Sequence, residues 1–281
     1  MGARMIQKLT VGSLFAGIGG IDLGFERAGF ETAWQVEINP YCRKVLAKHF
    51  PNAERFEDVR ECGAHNLRPV DVIAGGFPCQ DISNAGKRAG INGERSGLWR
   101  EFHRIISELR PRFVLVENVA ALLSPIKRDR WIEPAPISRV LGDLAEIGYD
   151  AEWQVISAAD LGAPHLRERV WIIAYPNTLS LRPQGIRAAT KGPWTRQEFE
   201  GLVQAELRIS LPSGKSGGVR DGVPDRVHHL RALGNAVVPQ IPELIARRLY
   251  ALLQVPCGTC EGFGTYFGRD CEQCAGAGVV A

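Results

Sequence analysis

Asp71-Val-Ile-Ala-Gly-Gly-Phe-Pro-Cys-Gln-Asp-Ile-Ser83 is the stretch that decides the fold. Its first half, Val70 to Ala74, reads as a short buried strand in an α/β chain. Gly75 and Gly76 let the backbone bend where a Cβ would clash. Pro78 fixes its own φ and biases Phe77 towards extended geometry. The thiol of Cys79 is thereby expected at the carboxyl end of a strand, where open α/β sheets hold their ligands. A cysteine taken at random is a small buried apolar residue. Gly-Gly-Phe-Pro-Cys-Gln is loop sequence rather than core sequence, which favours a site.

Upstream, Leu9 to Phe15 reads as a strand that meets Ala16-Gly17-Ile18-Gly19-Gly20 and then a helix carrying Ile21, Phe25 and Ala28 at helical spacing. A glycine turn between strand and helix lets a ligand approach the backbone. The dinucleotide fingerprint requires a third glycine where Asp22 stands, which disfavours NAD. A second strand, Thr32 to Val36, ends in Glu37. An acid there suits ribose hydroxyls, with a solvated surface glutamate as the competing reading. Asn39 and Pro40 are the N-cap and first residue of a helix that buries Cys42, Val45 and Leu46. Asp58 follows an edge strand, where it either accepts from an adenine amine or caps a turn.

Downstream, Gln80 to Gly97 has neither helical nor strand period. Lys87, Arg88 and Arg95 make it a candidate lid over phosphates, against the plainer reading of a solvated loop. Leu98, Phe102, Ile105 and Leu109 mark an amphipathic helix, and Phe113 to Val116 a strand with Glu117 directly after it. Ile137, Val140, Leu141 and Leu144 mark another helix; Ala151 to Ser157 and Val170 to Ala174 read as strands. Alternation is expected to put Arg167 and Arg169 on one face.

The 281 residues suffice for one large domain or two unequal ones, and the net charge of +3 permits a nucleic-acid partner without demanding one. No apolar run is long enough to span a bilayer, and Met1-Gly-Ala-Arg-Met-Ile lacks the features of a signal peptide, so a cytoplasmic protein is expected. Of seven cysteines, four crowd the last residues, unlike a secreted disulfide framework.

Taken together, these motifs resemble those of the C5-cytosine DNA methyltransferases. Phe15-Ala16-Gly17-Ile-Gly19-Gly20 is similar to the family's cofactor loop, and Glu37 and Asp58 to its two later cofactor acids. Gly75-Gly-Phe-Pro78-Cys79-Gln matches the nucleophile loop, Glu117-Asn-Val the proton-donor motif, and Arg167-Glu-Arg169 the arginine pair. Leu233-Gly-Asn235-Ala236-Val237-Val-Pro239 matches the last shared motif. These appear in the family's order over roughly Leu9 to Tyr250. One departure is His165, where the family usually has Gln.

The resemblance implies a Rossmann-like α/β fold that binds S-adenosylmethionine through the glycine loop with Glu37, Ile38, Asp58, Val59, Pro78, Asn235, Ala236 and Val237. It implies methylation of carbon 5 of cytosine in double-stranded DNA by a Cys79 adduct, with Glu117 donating to the base, Arg167 holding its carbonyl and Arg169 supporting the site. The residue types suit that chemistry: thiolate addition at carbon 6 turns carbon 5 into a nucleophile, arginines favour the thiolate, and the base must leave the duplex. Self-protection beside a cognate restriction enzyme, or protection of a phage genome, is the expected setting for a monomer. A tRNA cytosine methyltransferase and a catalytically weak DNA-binding relative are the alternatives.

The expected organisation is a catalytic domain over 1–175, a short target-recognition region over 176–226, a returning segment over 227–254 and a zinc-binding tail over 255–281. In the second of these Lys and Arg outnumber Asp and Glu, and Trp194 and Phe199 are read as a small core before an intercalating wedge. The returning helix would carry Ile241, Ile245, Leu249 and Leu252 on one face. Cys257-x-x-Cys260 and Cys271-x-x-Cys274 have zinc-ribbon spacing, and their Cys-x-Gly-x-Gly continuations resemble the zinc repeats of DnaJ chaperones.

Overall fold

A computed structural model describes residues 8–78, 97–127, 132–163, 166–178 and 235–253, with the backbone alone of 265–266 and 269–270. The expected lid, Cys79, His165, Trp194, Phe199 and the four tail cysteines lie outside the described residues.

Seven strands form one sheet in the order β3-β2-β1-β4-β5-β9-β8. β1 (Thr10–Leu14), β2 (Glu31–Val36), β3 (Glu54–Phe56), β4 (Val72–Gly75) and β5 (Phe113–Val119) run parallel. β9 (Arg169–Pro176) lies antiparallel between β5 and β8 (Tyr149–Ile156). Two short pairs, β6 (Ile126–Lys127) with β7 (Ile132–Glu133) and β10 (Thr265–Tyr266) with β11 (Arg269–Asp270), stand outside it. From β1 the chain winds outwards through β2 and β3, then resumes on β1's other side with β4. The crevice at this reversal is where such sheets bind ligands. The glycine turn and the nucleophile loop emerge there, from the ends of β1 and β4.

The central strands are apolar on both faces because helices cover both. On one face, α3 (Leu98–Leu109) and α4 (Ile137–Glu146) bring Trp99, Phe102, Ile105, Val140 and Leu144 into the same core as Ile73, Val114 and Ile172. On the other, α1 (Gly20–Arg27) and α5 (Gln240–Leu253) join Ile21, Phe25, Ile241, Ile245 and Leu249 to Val11, Val72, Leu115 and Trp171. α1 and α5 touch at Gly24, where a Cβ would stand 2.6 Å from the Glu243 nitrogen and 2.7 Å from the Pro239 oxygen. α2 (Pro40–His49) begins as read: Asn39 accepts from the Tyr41 and Cys42 nitrogens, and Pro40 occupies the first turn. Among the described residues no helix is long and apolar enough to cross a membrane.

Three of the boundaries that differ from expectation bear on the site. β4 starts at Val72, not Val70, because Asp71 turns its carboxylate to the Thr10 nitrogen and hydroxyl. β5 runs on through Glu117-Asn118-Val119, which pair with Trp171, Val170 and Arg169, so Glu117 belongs to the strand rather than following it. β9 starts at Arg169, and Arg167 precedes it with φ 33°, so strand alternation does not relate the two arginines.

Candidate active site

The glycine turn is held at both ends. Phe15 leaves β1 with φ 55°, and the Ala16 nitrogen donates to the Val36 oxygen at 3.1 Å. Gly17 and Gly19 take φ 57° and 85°, which L side chains rarely adopt. A Cβ on Gly17 would meet nothing within 4 Å, so open space adjoins the turn. A Cβ on Gly20 would stand 2.9 Å from the Val237 oxygen and Cγ2. The distant Val237 is thus packed on the turn.

Glu37 braces the same turn. Its Oε2 accepts from the Gly17 nitrogen and its Oε1 from the Asn39 nitrogen, both at 2.7 Å. Each oxygen keeps a second lone-pair site for a ligand hydroxyl. Ile38 is 64 % exposed, an apolar face beside this carboxylate. Asp58 caps the short 3-10 turn Val59–Glu61 through the Arg60 nitrogen and is gripped by the Arg60 guanidinium at 2.9 and 3.0 Å. Those bonds hold its carboxyl below the usual range. Of the two readings of Asp58, the structure shows the turn cap. Val59 is buried, so its side chain belongs to the core. An open glycine turn, an exposed apolar side chain and two flanking carboxylates fit an adenosine group.

The second half of the site lies across the switch point. Phe77 is buried, and its oxygen accepts from Asn118 Nδ2 at 3.1 Å. This tie from β5 fixes the chain as it enters Pro78 and the nucleophile loop, a role for Asn118 that no local pattern signals. Glu117, one residue earlier, faces the same loop: a Cβ on Gly76 would stand 2.6 Å from its Oε2. Its Oε1 lies 2.8 Å from Arg169 Nε. Burial pushes the Glu117 carboxyl above the ordinary range, with Arg169 and Arg167 opposing. Arg167 donates to the Ala236 oxygen, and burial lowers its pKa, helped by the nearby Arg169 charge. The two arginines therefore divide the work: one ties the last motif to the site, the other pairs with the buried acid.

A model described as C-5 cytosine-specific DNA methylase matches residues 9–209. This chain belongs to that family. Among its relatives, Type II methyltransferase M2.BsuMI of Bacillus subtilis is 36% identical over 170 residues, which are 59% of this chain and 42% of that protein. Type II methyltransferase M.AquIA of Picosynechococcus is 33% identical over 186 residues, 60% of this chain and 72% of that protein. The matched part spans less than half of the first relative. Entamoeba histolytica methyltransferase EhMeth shares the fold, with TM-score 0.60 and 15% identity over 88% of this chain and 99% of that one. S. pombe Dnmt2 methyltransferase gives TM-score 0.51 and 16% identity over 70% and 55%. The mixed α/β methyltransferase fold follows.

Proposed function

We propose that this chain methylates carbon 5 of cytosine in double-stranded DNA, with Cys79 as nucleophile. The observation that carries the reading is the Glu117 side chain, 13% exposed, clamped by Arg169 and facing Gly76 at the root of the Cys79 loop. The Cys79 thiolate adds to carbon 6 of an extruded cytosine, forming a C–S bond and pushing the ring electrons towards N3. Glu117, whose burial favours the protonated form, donates there and so stabilises the enamine. Glu37, Ile38 and Asp58 beside the glycine turn would hold S-adenosylmethionine, whose sulfonium S–CH3 bond would break as the methyl passes to carbon 5, leaving S-adenosylhomocysteine. A base then takes the carbon 5 proton, the C–S bond breaks and the thiolate returns. Arg169 keeps Glu117 aimed, and Arg167 joins the cofactor and base halves through Ala236.

Duplex DNA is favoured over tRNA by the family model and by relatives named Type II methyltransferases, which also support a restriction-modification setting. Sequencing 5-methylcytosine in DNA and RNA from cells expressing the chain tests this directly. Methylation confined to RNA, or none in either, rejects the reading. Duplex DNA carrying 5-fluorocytosine at the mapped site is expected to trap wild type covalently and Cys79→Ser not at all.

The domain division is part of the same proposal, as is one zinc ion on Cys257, Cys260, Cys271 and Cys274. Its support is the double Cys-x-x-Cys spacing, with the β10–β11 pair lying between the two hooks in the chain. Metal content measured on protein purified without chelator is expected at one zinc per chain, and a value well below that rejects it.

A further inference from the structure

Arg43 has no assigned part in the cofactor site, yet its guanidinium joins both loops that form it. β2 and β3 are parallel neighbours paired at Val36 and Phe56, so Glu37-Ile38 and Glu57-Asp58 leave the sheet side by side. The Glu37 nitrogen still donates to the Phe56 oxygen at 3.0 Å. One turn into α2, Arg43 reaches back over both segments. Its Nη1 donates to the Glu37 oxygen at 3.1 Å and to the Ile38 oxygen at 2.8 Å. Its Nη2 lies 2.8 Å from Glu57 Oε1. Two successive carbonyls held by one nitrogen fix the peptide that presents Ile38, while the carboxylate contact draws in the residue before Asp58. The Glu37 side chain is meanwhile committed to the glycine turn. The three loop segments of the proposed adenosine pocket are thus tied through Glu37 and Arg43.

We propose that Arg43 is a positioning residue for the adenosine end of the cofactor site, fixing the Glu37-Ile38 peptide through its two carbonyls without touching the reacting atoms. This rests on the S-adenosylmethionine reading above. The competing account is an ordinary surface ion pair. Glu57 is 71% exposed, and pairs with such a partner contribute little. The carbonyl bonds distinguish the two: the arginine side chain is 21% exposed and its fork spans three acceptors, which a lysine point charge cannot do.

The test is calorimetric titration of the full chain with S-adenosylhomocysteine and, separately, adenosine, beside steady-state kinetics at saturating DNA. Arg43→Ala is expected to weaken both ligands by about tenfold, the loss of roughly one charge-assisted hydrogen bond, and to raise KM for S-adenosylmethionine while kcat stays within about twofold. Arg43→Lys, which retains charge and stem and guards against a folding failure, is expected to fall between wild type and Arg43→Ala. Glu57→Gln is expected to change affinity less than about twofold. Unchanged affinity in Arg43→Ala, equal loss in Glu57→Gln, or a fall confined to kcat overturns the proposal. Wild type that binds neither ligand overturns the cofactor reading itself, and the role of Arg43 with it.

Discussion

Asp22 is wholly buried in the first turn of α1, accepting from Ser13 Oγ at 3.2 Å and from Gln35 Nε2 at 3.0 Å. Burial outweighs these bonds and raises its carboxyl from 3.8 to about 6. The folded state therefore binds this proton more tightly than the unfolded state. Its contribution to stability is greatest below pH 3.8 and is lost as pH rises to about 6. Asp22→Asn is expected to stabilise the fold at pH 8 by up to about 3 kcal/mol, with the gain vanishing near pH 4, as read by urea denaturation at both pH values. Glu117 has a different pH signature. Its protonated form is the proposed donor, so kcat falls as pH rises through its pKa. Arg169→Gln removes a charge that holds this pKa down, and is expected to lower the maximal kcat while moving the alkaline limb of its pH profile upwards. Glu117→Gln is expected to reduce kcat by roughly 10²–10⁴-fold, with S-adenosylhomocysteine affinity nearly unchanged.

α3 connects the two halves of the site from behind. Phe15 of the glycine turn, Phe102, Trp99 and Phe77 of the nucleophile loop stand in succession, with ring centroids 6.3, 5.6 and 5.3 Å apart. Trp99 is anchored to α4 by a 2.8 Å bond to Asp143 Oδ2. On the opposite face, α5 depends on the missing side chain of Gly24. The two nearest atoms a Cβ would strike there are backbone, which cannot rotate aside. Gly24→Ala is expected to destabilise the fold by about 1–3 kcal/mol, as overpacking does, and to weaken S-adenosylhomocysteine binding because α5 follows the Val237 segment packed on Gly20. Urea denaturation and calorimetry read the two effects. Normal stability in this variant would mean that α5 does not press on α1.

The whole sheet is closed on one side by residues that arrive late in the chain. Ile241, Leu244, Ile245, Leu249 and Leu253 of α5 are all buried against β1, β4 and α1. At roughly 1.5–3 kcal/mol each, their burial is comparable to the whole net stability of an ordinary domain. A chain ended at 254 is therefore expected to stay folded, bind S-adenosylhomocysteine and retain its single-turnover rate at saturating DNA. A chain ended at 234 is expected to lose cooperative unfolding altogether. Circular dichroism melts separate the two. A chain ended at 254 that folds and binds cofactor yet cannot transfer methyl would place the cysteine-rich tail in the reaction.

The identity and order of the elements were legible in the sequence because period, glycine turns and caps are local signals. Asn39-Pro40 opened α2, and Leu98 to Leu109 formed α3, as their patterns required. The glycine turn and the acids after β2 and β3 were legible for the same reason. Strand ends were less so: Asp71 and Glu117 changed places with loop and strand because their partners, Thr10 and β9, lie far away in the chain. Local pattern also could not assign partners to charges. Arg169 rather than Arg167 meets Glu117, Arg167 turns to Ala236, and Arg43 joins the loop before its own helix to Glu57 beyond the next strand. Those choices follow from strand order and the return of α5, which bring residues dozens of positions apart to one sheet edge. Only the packed tertiary structure contains that information, because a charge selects its partner by distance in space and by the burial that makes an unpaired charge costly.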